Sequence, residues 1–195
     1  MSRTFLLLTS IVVMLHCGAD KSPAPAQEPT AWGSWKGTVV YDGEPPPVAD
    51  LRKIISLSVD RDHFLKAPEK DLLDPTWIVN KKNKGVANVV VWLLPQSGKT
   101  LKIHEADKMR KDIVTLDRPF CAYVPHVLTL FPGYEADGKW HKTGQVFKVV
   151  NSSPINHCPT WAGHPDINPG GNMIMTPKTE RTLEFNPHKR PIVFT

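Results

Sequence analysis

The sequence predicts an all-β fold, an antiparallel sandwich or barrel with long loops and at most one short helix. Three observations carry this. From Trp35 onward, short apolar-alternating runs rich in Val, Ile and Thr recur at strand length. Asp-Gly, Gly-Lys and Pro clusters separate them, which is the turn chemistry of sandwiches and barrels. Of the 195 residues, 41% are hydrophobic, enough for a packed core even though the 19 prolines are about twice the usual share.

The N-terminus reads as an export leader. Arg3 and the eleven-residue apolar run Phe5–Leu15 have the proportions of a secretory signal and are too short for a membrane-spanning helix. Two processing sites compete. Met14-Leu15-His16-Cys17-Gly18 resembles a lipoprotein box with Cys17 as the lipidated residue, although His16 is larger than the residue such boxes favour. Ala24-Pro25-Ala26 is an alternative A-x-A cleavage site. The Pro-rich stretch KSPAPAQEPT (21–30) fits a tether behind an anchored cysteine. The expected organisation is a signal peptide over 1–16, a tether over 17–34 and one β domain over 35–195. Its location is outside the cytoplasm, periplasmic or at the cell surface, with a lipid anchor as its only membrane contact.

Within the domain, strands are expected over KGTVVY (36–41), IISLSV (54–59), VANVVVWLL (86–94), IVTL (113–116), YVPHVLTL (123–130), QVFKVV (145–150), RTLEF (181–185) and PIVF (191–194). Asn88 to Leu94 is almost wholly apolar, as in a central strand covered on both faces, and Trp92 reads as core. KIHEADKMRKD (102–112) is the best helical candidate. Residues 60–80 and 151–172 read as long loops, where function tends to concentrate.

Composition excludes several classes. The net charge of +5 is mild and contains no run of five or six basic residues, so nucleic acid is not an expected partner. Three cysteines without a Cys-x-x-Cys pair leave no zinc ribbon and no thioredoxin motif. Gly-x-Ser-x-Gly, phosphate-loop, His-Glu-x-x-His and dinucleotide fingerprints are all missing, so no enzymatic activity is expected. The residues with metal-binding chemistry are His126, His157 and His164, in the company of Cys121, Cys158, Met173 and Met175. Imidazole, thiolate and thioether together suit copper. The competing reading is a satisfied core histidine, packed methionines and a Cys121–Cys158 disulfide closing 36 intervening residues, which would contribute about 3–4 kcal/mol. His157 and Cys158 are neighbours, so on a strand they face opposite ways and cannot share one ion.

The segments GTVVYDGEPPP (37–47), GVANVVVWL (85–93), DRPFCAYVPHVLTL (117–130) and VVNSSPINH (149–157) occur in an order that resembles the cupredoxin-like, methylamine-utilisation-type family of exported bacterial proteins, from about Gly33 onward. The resemblance implies a Greek-key, Ig-like sandwich, copper binding and electron transfer with a redox protein partner. It makes the histidine closing the N-S-x-P-x-x-H segment, His157, the first copper ligand, with Asn151 and Ser152 tying the turn before it. His126, Cys121 and His164 are weaker ligand candidates. The family pattern draws a Cys, a His and usually a Met from a C-terminal hairpin, and Arg190–Thr195 stands where that hairpin would begin. The expectation is therefore a C-terminally truncated version whose site is incomplete and which alone forms no blue-copper centre. The alternative is a non-enzymatic, surface-anchored β module that binds a glycan or a protein, with Trp140 and Trp161 as its exposed aromatics.

Overall fold

In the computed structural model the described residues are 32–97, 99, 101–188 and 190–195. The stretch expected to be a signal segment, and Cys17, lie outside them. Contacts divide the chain after Ser34, and the second unit, Trp35–Thr195, contains every regular element found among the described residues. It is a small β-rich structure of three sheets with a few single-turn helices.

The central strand is β4 (Val146–Asn151), where the sequence alternates most cleanly and burial follows with period two: Phe147, Val149 and Asn151 point inward. It pairs in parallel with β1 (Ile113–Asp117), Leu116 opposite Val149, and antiparallel with β7 (Thr179–Leu183), Phe147 opposite Leu183. The parallel β1–β4 pair departs from the purely antiparallel expectation. The chain crosses over between them through a hairpin, β2 (Gly133–Ala136) and β3 (Lys139–Lys142). A third sheet orders β6 (Gly171–Asn172), β5 (Thr160–Ala162) and β8 (Val193–Phe194). Leu116, Phe147, Val149 and Met175 form the main core, with Phe185, Phe194 and Tyr123 packed against it. Burying each large member stabilises the fold by about 1.5–3 kcal/mol.

The β2–β3 turn is Asp137-Gly138, both at positive φ (51° and 67°), the geometry of a two-residue hairpin turn. Trp140 reaches back across the hairpin onto Gly133. A Cβ at Gly133 would sit 2.3 Å from the indole and 2.5 Å from the His141 carbonyl oxygen. Gly133→Ala is expected to destabilise the unit by about 1–3 kcal/mol, visible as a lowered midpoint in thermal unfolding.

Four expected strands are replaced. Residues 54–59 begin inside α1 (Arg52–Ile55), because Asp50 accepts the Arg52 amide (2.9 Å) and Leu51 and Ile55 fall one helical turn apart on the buried side. Beyond it lie α2 (Arg61–Phe64) and a 3-10 turn, Glu69–Leu72, whose Ala67 and Leu72 join Ile55 in a second small core. Segment 123–130 keeps only a bridge from Val124 to Asp117, since Pro125 has no amide with which to extend the ladder. Segment 36–41 is reduced to one bridge, Val40 to Gly85. Residues 89–94 lie in no strand, and Trp92 is 56% exposed rather than core. Asn88, at φ 57°, breaks the run just before it. The helical expectation at 102–112 contracts to α3 (Glu105–Lys108), where the His104 Nδ1 accepts the Ala106 amide.

Candidate functional site

β1 and β4 end side by side, and the segment after β4 turns there toward His157. Asp117, the last residue of β1, accepts the Ser152 amide (3.1 Å) and hydroxyl (2.6 Å). Asn151 is fully buried. Its amide nitrogen donates to the carbonyls of Ile155, Met175 and Thr176, and its Oδ1 accepts from the Ser153 amide and hydroxyl. Asn151 thus ties the local turn as the sequence suggests, whereas Ser152 ties it to the end of β1. These bonds deliver His157 to a two-way backbone bridge with Met175 (3.0 and 2.8 Å).

His157 is 6% exposed, and its Nε2 is buried without a hydrogen-bond partner. Burial, reinforced by the positive charge of Arg118 and by His63, pushes its pKa down to about 4, so the imidazole is neutral near pH 7. Phe64 from α2 stacks against it, ring centroids 6.1 Å apart and 13° from parallel. Beside Phe64, His63 stacks on Phe120 at 5.0 Å, and its Nε2 donates to the Pro119 carbonyl (2.9 Å), which fixes its tautomer. The guanidinium of Arg118 lies over the Tyr123 ring (4.9 Å), and its Nε is likewise buried without a partner.

The other sequence candidates go elsewhere. The half-buried Cys121 directs its thiol to the Asp71 carbonyl oxygen (3.7 Å), and burial raises its pKa, so it is held as a thiol. The Nε2 of His126 stands 3.8 Å from the buried Asp71 carboxylate. His164 pairs with His188, ring centroids 4.5 Å apart, and each Nδ1 accepts a backbone amide, from Asp166 and Arg190 respectively. Met175 is core and Met173 packs against the core. Cys158 is exposed while its neighbour His157 is buried, and Cys121 and Cys158 are both free thiols, not joined in a disulfide.

Among the described residues, no three His, Cys, Asp or Glu side chains are grouped so that they could hold a metal ion. A blue-copper centre needs two imidazoles and a thiolate around one point. The described residues bring one suitable imidazole and do not fit the complete centre. Phe64, which stacks on His157, and His63 and Arg118, whose charges lower its pKa, were not singled out from the sequence; the signals were the long loop 60–80, which holds the first two, and the segment 117–130, which holds Arg118. Among the described residues no helix is long and apolar enough to cross a membrane. The chain matches no protein-family model, no curated protein and no solved structure.

Proposed function

We propose that the chain is an exported, cupredoxin-like module of the Greek-key sandwich type, anchored at the cell surface, that serves copper-dependent electron transfer with a redox protein partner. His157 is the metal-binding imidazole it contributes. One observation carries this reading: a neutral, rigidly held imidazole with a buried, unpartnered nitrogen ends the N-S-x-P-x-x-H segment. Buried polar atoms are normally satisfied, so an orphaned one asks for a partner. The test begins with the native gene read past codon 195 and expression of any longer product. A product carrying Cys-x-x-His is expected to develop intense thiolate-to-copper absorption on copper loading, and His157→Ala to abolish it. A longer product that stays colourless overturns the proposal.

A second reading, a non-enzymatic binding module, draws on Trp140. This indole is 47% exposed and lines an open cleft of about 300 Å³ together with Phe147, Phe185 and the exposed Lys142–Glu184 ion pair. An aromatic face beside polar groups suits a sugar ring. Trp161, the other sequence candidate, stacks on Phe194 at 6.0 Å and is less exposed. Tryptophan fluorescence unmoved by a panel of glycans, with Trp140→Ala as the control, removes this reading.

A further inference from the structure

Residues 89–94 carry six consecutive large apolar side chains, Val-Val-Val-Trp-Leu-Leu, and all are exposed, from 37% at Val90 to 80% at Leu93. They lie outside every sheet, and among the described residues no backbone hydrogen bond joins them to another element. The last backbone pairings before them are those of Val86 and Ala87, with Val39 and Ile78. All six side chains are apolar, so every side of the segment presents apolar surface, and among the described residues its backbone has no ladder partner. Charge adds a third feature. From Pro75 to His104 the sequence has five lysines (81, 82, 84, 99 and 102) and no acidic residue. The whole net charge of +5 therefore resides in this segment, and the rest of the chain balances at 19 basic against 19 acidic residues.

We propose that residues 89–94 are the acceptor of an added β-strand, supplied by a partner polypeptide whose segment is extended, apolar and acidic at its ends. Each part of that description answers an observation. An added strand pairs backbone amides and carbonyls that lack a ladder and at the same time covers the apolar side chains beside them. A bilayer covers apolar side chains but leaves such backbone groups unpaired in hydrocarbon. A nucleic acid meets the lysines but not the valines. A second copy meets the valines but brings two lysine-flanked segments together, like charge against like. An acidic-ended strand has neither defect.

The test uses the purified chain and three probes: a short Val/Ile peptide ending in glutamates, the same peptide ending in lysines, and vesicles of phosphatidylglycerol and phosphatidylcholine. Hydrogen exchange should show the 89–94 amides unprotected in the chain alone and protected by the glutamate-ended peptide. Affinity for that peptide should fall about tenfold or more in Lys81→Glu/Lys82→Glu/Lys99→Glu, and with added salt. Val91→Pro removes a ladder donor at an exposed, unpaired position, so it should keep the fold and lose the protection. Four results overturn the proposal: amides protected without any peptide, equal binding of both peptides, dimers held through this segment, or vesicle binding that the acidic peptide does not displace.

Discussion

Replacing Asn151 with alanine is expected to lower the melting temperature by about 6–12 °C. The side chain is fully buried and serves five backbone and hydroxyl groups drawn from two separate segments, 153–155 and 175–176. Its amide shares two hydrogens among three carbonyls, each of which keeps a second donor (the Ser153 hydroxyl, the His157 amide and the Thr179 hydroxyl), while the Ser153 amide loses its side-chain acceptor. Each hydrogen bond lost is worth on the order of 0.5–1.5 kcal/mol net, so about 3 kcal/mol is lost in all. At this chain length a kilocalorie corresponds to about 2–4 °C. Asn151→Asp separates hydrogen bonding from shape. It keeps the acceptor for Ser153 but turns a carboxylate on three carbonyls, so it should be at least as damaging near pH 7 and should recover as the carboxyl is protonated. Ser152→Ala, which removes one half-buried bond to Asp117, is expected to cost only about 1 kcal/mol. A melting temperature for Asn151→Ala within 2 °C of the parent would show that the network does not hold the turn.

The same residues show what was legible in the sequence. β4 was readable because its alternation is strict: in V-F-K-V-V-N the second, fourth and sixth residues are those the structure buries. Asn151 was readable as a tie because its bonds to Ser153 and Ile155 are local, whereas its bonds to Met175 and Thr176 were not readable. What encloses His157 was not. Phe64 and Arg118 reach it only because α2 and the end of β1 are brought there by the two cores, and periodicity carries no information about such distant meetings. The 54–59 segment failed for a related reason. Its apolar residues suit a strand or a helix equally, and the Arg52 amide bonded to Asp50 at the start of α1 favours the helix. The run 89–94 is the sharpest case. An apolar pattern reports that a segment gains by being covered on both faces, not that this polypeptide supplies the cover. The hairpin at 133–142 was present in the sequence as Asp137-Gly138 between alternating residues, and reading the pair as a separator alone hid it.

Acidification is expected to destabilise the metal-free chain most steeply between pH 6.5 and 4, and His157 is the cause. In the unfolded chain the imidazole titrates near 6.5, and in the folded one near 4. Between those values the unfolded state holds a proton that the folded state does not. Falling pH therefore favours unfolding. The stability is fully present above pH 6.5 and lost progressively down to about pH 4, below which this residue adds no further slope. The displacement corresponds to about 3 kcal/mol over that window. His157→Phe keeps an aromatic ring against Phe64 and cannot titrate. Denaturant unfolding of this variant should show a flatter profile across the window, with the parent approaching or crossing it toward pH 4. Carboxylates such as Asp50 and Asp74, held below their ordinary range chiefly by hydrogen bonds from Arg52 and Thr76, lose their contributions only at lower pH. The two regimes are thus separable on one curve. If the parent and His157→Phe profiles run parallel from pH 7 to 4, His157 does not exist in the folded chain as a buried neutral imidazole. The same result would deprive the metal-ligand reading of the observation that carries it.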